Sequence, residues 1–441
     1  MIGRTEFPGV ASDGSVRPEK AVARREGQPI KEPTSYWLLL VFVLLLYANL
    51  PFVFPASEAI HPAKILAGAG ILALMNETFL QHRKFGISWP DGGYLLAFFG
   101  AAALSCLTAL WPGYAFDAIS TLVKMVIVYF FIVTCTSTER ALQRLMWTMV
   151  VGGILPALGT INNYLHGRLE EGRASWVGIF ANPNEVAYSL VILLPIAAYL
   201  AISHGWIARI ALLCISAAYL VAIFVTFSRG GLIGLGAAAA VYAWRKRSAW
   251  LLILLICAGV GSAILGVEHW SRGQDFSDLN QDVSFQERIA TSEAGIRMFL
   301  DHPLLGVGIA CSIVAWPLYA PNGLYTRGAL ITHNTVVQSL SETGILGFVP
   351  FMLFIGVGLC RSRKLARSVD KRVANAGAAL EAAMWGFVVC GMSGGYVLTW
   401  FPYLLMGLVG AARRIGDAGP ELALRMATPR RDPWLQRGEA R

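Results

Sequence analysis

A few short stretches of this chain carry ionisable or amide side chains that an apolar sequence does not otherwise call for. The first is HNTVVQSLSETGILG, in which His333 and Asn334 are followed, after nine intervening residues, by Gly344 and then Gly347. A neutral imidazole, with an ordinary pKa of about 6.5, takes a proton from a sugar hydroxyl near neutral pH. Thr332 is placed to cap a helix whose face carries His333, Val336, Val337 and Leu340, holding the imidazole at a membrane boundary just before a crossing. Gly344 and Gly347 would let a neighbouring helix or a bound lipid approach that crossing closely. The plain alternative is an interfacial histidine packed on the end of a helix.

The second is Arg229 in TFSRGGLIGL, wedged between two long apolar runs. An arginine near membrane depth is costly and has a partner or snorkels. Its guanidinium fork stays charged and matches phosphate oxygens in pairs, which suits holding a diphosphate and stabilising it as it leaves. The third is Arg288 in ERIATSEAGIRMFLDHPLLGVG, bordering the apolar side of a stretch in which Phe285, Ile289, Ser292, Ile296 and Phe299 recur at helical spacing. Arg272, Arg297 and Arg327 are its rivals for a second cationic role. In GIFANPNEVAYSLVILLPIA, Pro183 sits where a helix can start and Asn182 and Asn184 can cap it, with sugar contact by Asn184 as the alternative.

These residues need elements to hold them, and composition says what those elements are. The 441 residues are 56% hydrophobic and 14% charged, a balance that soluble domains do not show and that places the surplus apolar surface against lipid. Crossings are expected over 36–54, 59–75, 93–111, 115–135, 141–161, 185–203, 206–227, 230–244, 250–267, 344–360, 376–398 and 400–412, about twelve in all at roughly 20 apolar residues per crossing. With the N-terminus inside, the inner turns carry His82-Arg83-Lys84, Arg140, Arg245-Lys246-Arg247, the Arg361 to Arg372 stretch and Arg413-Arg414, as the positive-inside rule requires. The same count puts outside the 162–184 loop, the Ser228-Arg229-Gly230 turn and the long 268–343 segment, where chemistry in water can sit.

Several functions are set aside on the same grounds. The net charge of +9 lies in short turns between apolar runs, not on an aromatic-interleaved surface, so no nucleic-acid partner is expected. The seven cysteines are dispersed with no CxxC pair, and Asp275, Asp278 and Asp282 lack the spacing of a calcium loop, so no metal and no cofactor is expected. Lys124 deep in the fourth crossing, Asp117 seven residues earlier and Glu381 in a later crossing are read as structural ion pairs. The absence of a fixed internal repeat weighs against the inverted-repeat transporters.

The His-Asn, nine-residue gap and Gly-x-x-Gly resemble the signature of the O-antigen ligase and polymerase superfamily. Ser-Arg-Gly-Gly at Arg229 resembles that family's arginine turn, and Arg288, followed by an aromatic-bearing helix and the Pro303, Gly306 and Gly308 turn, resembles its outer-loop arginine. The ligase form of the motif often continues with threonines, where this chain has Phe348 and Val349, so the resemblance carries the superfamily and not the ligase subtype.

The resemblance implies an all-α, GT-C-like polytopic membrane protein. Its parts would be a cytoplasmic tail (1–35), transmembrane helices 1–9 (36–267), a periplasmic loop with amphipathic helices (268–343), transmembrane helices 10–12 (344–412) and a cytoplasmic tail (413–441). It further implies a metal-independent inverting glycosyltransferase of the bacterial inner membrane. The donor would be an undecaprenyl-diphosphate-linked glycan and the acceptor a growing polysaccharide or lipid A core. His333, Arg229 and Arg288 would be catalytic, with Arg229, Arg288, Asn334 and Asn184 binding substrate. A polysaccharide flippase and a protein O-oligosaccharyltransferase are the alternatives.

Overall fold

The computed structural model describes residues 32–49, 53, 61–83, 85–170, 172–247, 283–321 and 330–427. Their α-helices are Thr34–Ala48 (α1), Pro62–Met75 (α2, continued by the π turn Asn76–Leu80), Asp91–Ser105 (α3), Pro112–Cys135 (α4), Glu139–Gly152 (α5), Ile154–Leu165 (α6) and Pro183–Ser203 (α7). Then follow Trp206–Val225 (α8), Arg229–Lys246 (α9), Val283–Asp301 (α10), Ser312–Tyr319 (α11), Thr335–Leu365 (α12), Lys371–Gly391 (α13) and Trp400–Ala427 (α14). The protein is all-helical: among the described residues the only β pairing is an isolated bridge between Glu170 and Arg173.

The helix starts follow from local chemistry. Proline occupies the first turn of α2, α4 and α7, where its missing N–H costs nothing. Side-chain caps begin others, with Thr138 accepting from the Ala141 amide at 3.0 Å and Asp370 from the Arg372 amide at 2.8 Å. Among the described residues, seven helical stretches are long and apolar enough to cross a membrane. Helix occupies eleven of the expected crossings, and the remaining one, 250–267, lies outside the described residues, as do Asp275, Asp278, Asp282, Arg272 and Arg327.

α9 lies along α13, which also packs on α7 and α12, while α3 lies against α12 and α4 against α14. One end of this bundle gathers basic side chains around paired carboxylates. Arg245 meets Glu381 through two hydrogen bonds of 2.5 and 2.6 Å, which makes Glu381 the structural ion pair expected of it. Arg361 does not lie in a turn: it is buried inside α12, ion-paired with Asp91 and donating to Ser88 Oγ at 2.8 Å. Asp91 also accepts from the Tyr129 hydroxyl at 2.7 Å, so one carboxylate ties α3, α4 and α12 together. Hydropathy cannot separate such an arginine from a turn residue, because pairing and not exposure is what makes its position tolerable. The expected Lys124 and Asp117 pair does not form: both are exposed on α4 and make no ion pair among the described residues.

At the other end, α12 bends. Gly344 has φ 59° inside the helix, and a Cβ there would land on the Leu304 backbone. The Pro303–Gly308 turn presses into that bend, with the Ile345 amide donating to the Pro303 carbonyl at 2.9 Å and the Val307 amide to the Ser341 carbonyl at 2.9 Å. Gly306, at φ 69°, faces the Ser341–Thr343 backbone in the same way. The close approach that Gly344 permits is therefore made by a loop of this chain and not by a neighbouring helix or a lipid, and the space beside Gly347 is taken by the Thr343 side chain. Glu342, fully buried, completes the joint by accepting from Ser312 Oγ at 2.6 Å and the Ala310 amide at 3.0 Å.

Candidate active site at the end opposite the basic cluster

The turn that carries His333 is held from both sides. Asn334 is the N-cap of α12, its Oδ1 accepting from the amides of Val336 at 2.9 Å and Val337 at 3.2 Å. The expected cap, Thr332, is buried two residues upstream, and His333 precedes the helix instead of lying on its face. The reason is geometric: an N-cap accepts from the amides two and three residues on, and Asn334, extended at φ −153°, meets that requirement for the helix start at Thr335. Its Oδ1 is thereby spent on the backbone, and only its amide nitrogen remains for a substrate.

Across from this turn runs the 392–399 linker between α13 and α14, most of which hydropathy assigns to the 376–398 crossing, whereas α13 ends at Gly391. Thr335 Oγ1 donates to the Gly394 carbonyl at 2.7 Å and accepts from the Tyr396 amide at 3.1 Å, while Gln338 Oε1 accepts from the Val397 amide at 3.2 Å. The linker's other side reaches the arginine turn: Ser393 Oγ lies 2.7 Å from the Tyr188 hydroxyl, and both atoms crowd the Cα of Gly230. Tyr188 and Tyr396 meet edge to face at 5.3 Å between ring centroids. The sequence signal is the glycine- and serine-bearing stretch GMSGGY near the end of that expected crossing.

Ser228 caps α9, accepting from the Gly231 amide at 3.2 Å, so Arg229 is the helix's first residue and sits at the positive end of its dipole. Ser228 Oγ donates to Asn184 Oδ1 at 2.7 Å, and Arg173 donates to the same oxygen at 2.6 Å. Asn184 is therefore a strut between the α7 start and the α9 start. Asn182 caps α7 instead, accepting from the Asn184 amide at 2.9 Å. Arg173 is further engaged with the Thr226 carbonyl at 2.9 Å.

Arg288 projects from α10, which packs on α12, and lines an open cavity of about 650 Å³ together with Ser292, Ile296, Met392 and Ser393. Its charge acts on His333, Tyr188 and Tyr396. Burial first, and the Arg288 guanidinium second, push the His333 pKa down from 6.5 to about 4, so the imidazole is neutral at physiological pH. Burial likewise holds the Tyr396 phenol well above its ordinary value, keeping it a neutral donor. Arg297, a rival of Arg288, is exposed and paired with Glu293 one helical turn away at 2.5 Å.

His333 thus lies within the electrostatic reach of Arg288. The Arg229 turn and Asn184 meet each other, and Tyr188 and the 392–399 linker join the two pairs. Among the described residues no three His, Cys, Asp or Glu side chains cluster as a metal site would require. Residues 210–352 match a protein-family model described as O-Antigen ligase, a span containing Arg229, Arg288, His333 and Asn334 but neither Asn184 nor the linker. The match bears out the family resemblance of the histidine motif and supports a membrane enzyme of O-antigen ligase or polymerase type. No curated protein matches the chain.

Proposed function

From the premise that this chain carries an O-antigen ligase domain over residues 210–352, we propose that it transfers glycan from an undecaprenyl-diphosphate carrier to a hydroxyl acceptor on the periplasmic face of the bacterial inner membrane. The observation that carries this reading is that Arg288, which lines an open cavity at the end of the bundle away from the basic cluster, acts through its charge on the buried, neutral His333 imidazole. The sequence expectation of about twelve crossings, with 250–267 outside the described residues, and the basic turns support this sidedness.

In the reaction, the acceptor oxygen attacks the anomeric carbon as the bond from that carbon to the diphosphate oxygen breaks, inverting the centre. The acceptor's proton passes to His333. The diphosphate leaves as an anion whose growing charge Arg288 offsets, with Arg229 and the α9 N-terminus holding its second phosphate. Asn334 and Asn184 act on substrate through the turns they shape. Diphosphate is already a good leaving group, so transfer needs no metal, and excess chelator should leave it intact. The acceptor is a growing polysaccharide or lipid A core.

The test is to reconstitute the full chain in vesicles with a lipid-diphosphate-linked glycan and follow the release of lipid diphosphate. Wild-type protein should release it together with lengthened or ligated glycan, whereas His333→Ala should insert normally and release none. Carrier moved across the bilayer without cleavage would instead identify a flippase. Deleting the gene in its native host separates the subtypes: single repeats left on the carrier indicate a lost polymerase, long chains a lost ligase.

A further inference from the structure

α4 buries Leu122, Met125 and Tyr129 on one face and turns Asp117, Ser120, Thr121 and Lys124 outward on another, at the i, i+3, i+4 and i+7 positions of a single stripe. Asp117, Ser120 and Lys124 are exposed, and Thr121 spends its hydroxyl on the Asp117 carbonyl at 3.2 Å. Lys124 lies midway along the 24-residue helix, about 18 Å from its Pro112 end at roughly 1.5 Å per residue. The Cys135 end is slightly closer, at about 16 Å, and exposed Trp111 and Tyr114 lie at the Pro112 end, so both helix ends are well beyond the snorkelling reach of a lysine stem. Among the described residues the Lys124 ammonium has no hydrogen bond and no ion pair.

A charge held at that depth on an outward face is stabilised by an anion, and the described residues supply none. A second copy does not supply one: two copies cross the bilayer in the same sense, so a two-fold contact through α4 sets Lys124 against Lys124 and Asp117 against Asp117 at equal depth. α4 packs on α14, α3 and α1, helices without a candidate catalytic residue, so the stripe is separate from the site described above. We propose that this face of α4 docks a membrane-spanning helix of a different protein, one that carries a carboxylate near the bilayer midplane to pair with Lys124 and meets Ser120 through small or hydroxyl side chains.

The probe is a synthetic transmembrane helix of leucine and alanine with one central glutamate, compared with an otherwise identical helix bearing leucine there. Each is co-reconstituted in vesicles with the full chain carrying a photo-crosslinking amino acid in place of Phe116, which is exposed beside the stripe. The glutamate helix should crosslink about ten-fold more than the leucine helix, the size of effect that an interhelical polar contact gives in a membrane. Lys124→Leu should erase that preference without loss of folding, because it removes a charge from lipid, and Lys124→Glu should pass it to a probe with a central lysine. Equal crosslinking of both helices overturns the proposal, as does crosslinking between two copies of the chain. So does ready modification of Ser120→Cys by a membrane-impermeant thiol reagent, which would show a water-lined cleft.

Discussion

At the basic end of the bundle Arg245 meets both oxygens of Glu381 and Arg361 meets Asp91, whereas at the opposite end Arg288 lines a cavity without an ion pair of its own among the described residues, the cavity's carboxylate, Glu293, being paired with Arg297. The difference is between cations whose desolvation is offset by anions built into the fold and a cation left able to take an anion from elsewhere. Arg361 and Asp91 are 8% and 0% exposed, and a pair so buried holds helices together but has no capacity left for a ligand. Arg288 instead spreads its field over His333, Tyr188 and Tyr396, the groups that a leaving phosphate and an incoming hydroxyl would meet.

The largest test of that contrast is His333→Ala, which should lower glycan transfer by about 10²- to 10⁴-fold, the usual contribution of a positioned acid or base, with membrane yield and thermal unfolding unchanged. Next is Asp91→Asn at the basic end. It leaves the Arg361 guanidinium buried without its counter-ion and should cost about 3–5 kcal/mol of stability, read by thermal unfolding in detergent, while protein that remains folded keeps its transfer rate. Arg288→Ala should do the reverse on a smaller scale. Stability should move by no more than about 0.5 kcal/mol, but transfer should fall roughly ten- to hundred-fold, the worth of one charge-assisted contact to the donor. A stability loss in Arg288→Ala comparable to that of Asp91→Asn would erase the distinction between the two ends.

Much of the scaffold was legible because lipid imposes a length and a polarity on every crossing, and those survive in the sequence as runs between charged turns. Gly344 was legible as a glycine that something approaches, but not what approaches it, since the Pro303–Gly308 turn lies about forty residues away and only folding brings the two backbones together. The helix start at Asn334 was misplaced by two residues because Thr332, Asn334 and Thr335 are all chemically able to cap, and the choice rests on dihedral angles. The 392–399 linker escaped notice because it contributes through the Gly394 carbonyl and the Tyr396 and Val397 amides, backbone groups that every residue has. The three residues proposed for the chemistry were singled out through their motif. Spacing alone left His333 as readily a packing residue, and the reach of the Arg288 charge to it is a property of the packing of α10 on α12.

The smallest expected effect is also the one that most directly probes that electrostatic link. His333 titrates near 6.5 when unfolded and at about 4 in the fold, so between those values the unfolded chain binds the additional proton. The His333 contribution to stability is therefore complete above about 6.5 and declines as pH falls toward about 4. Transfer that depends on the neutral imidazole should hold level from neutral pH downward and fall only as pH passes about 4. Arg288→Gln removes the lesser of the two causes and leaves burial in place, so the acidic limb should move upward without reaching 6.5. The measurement is the pH dependence of transfer in vesicles for wild type and Arg288→Gln, normalised to each protein's own plateau. A limb already at 6.5 in the wild type would mean that His333 is solvated and away from Arg288, whereas a limb unmoved by the substitution would mean that burial alone sets it and that the guanidinium lies too far off to help the same reaction.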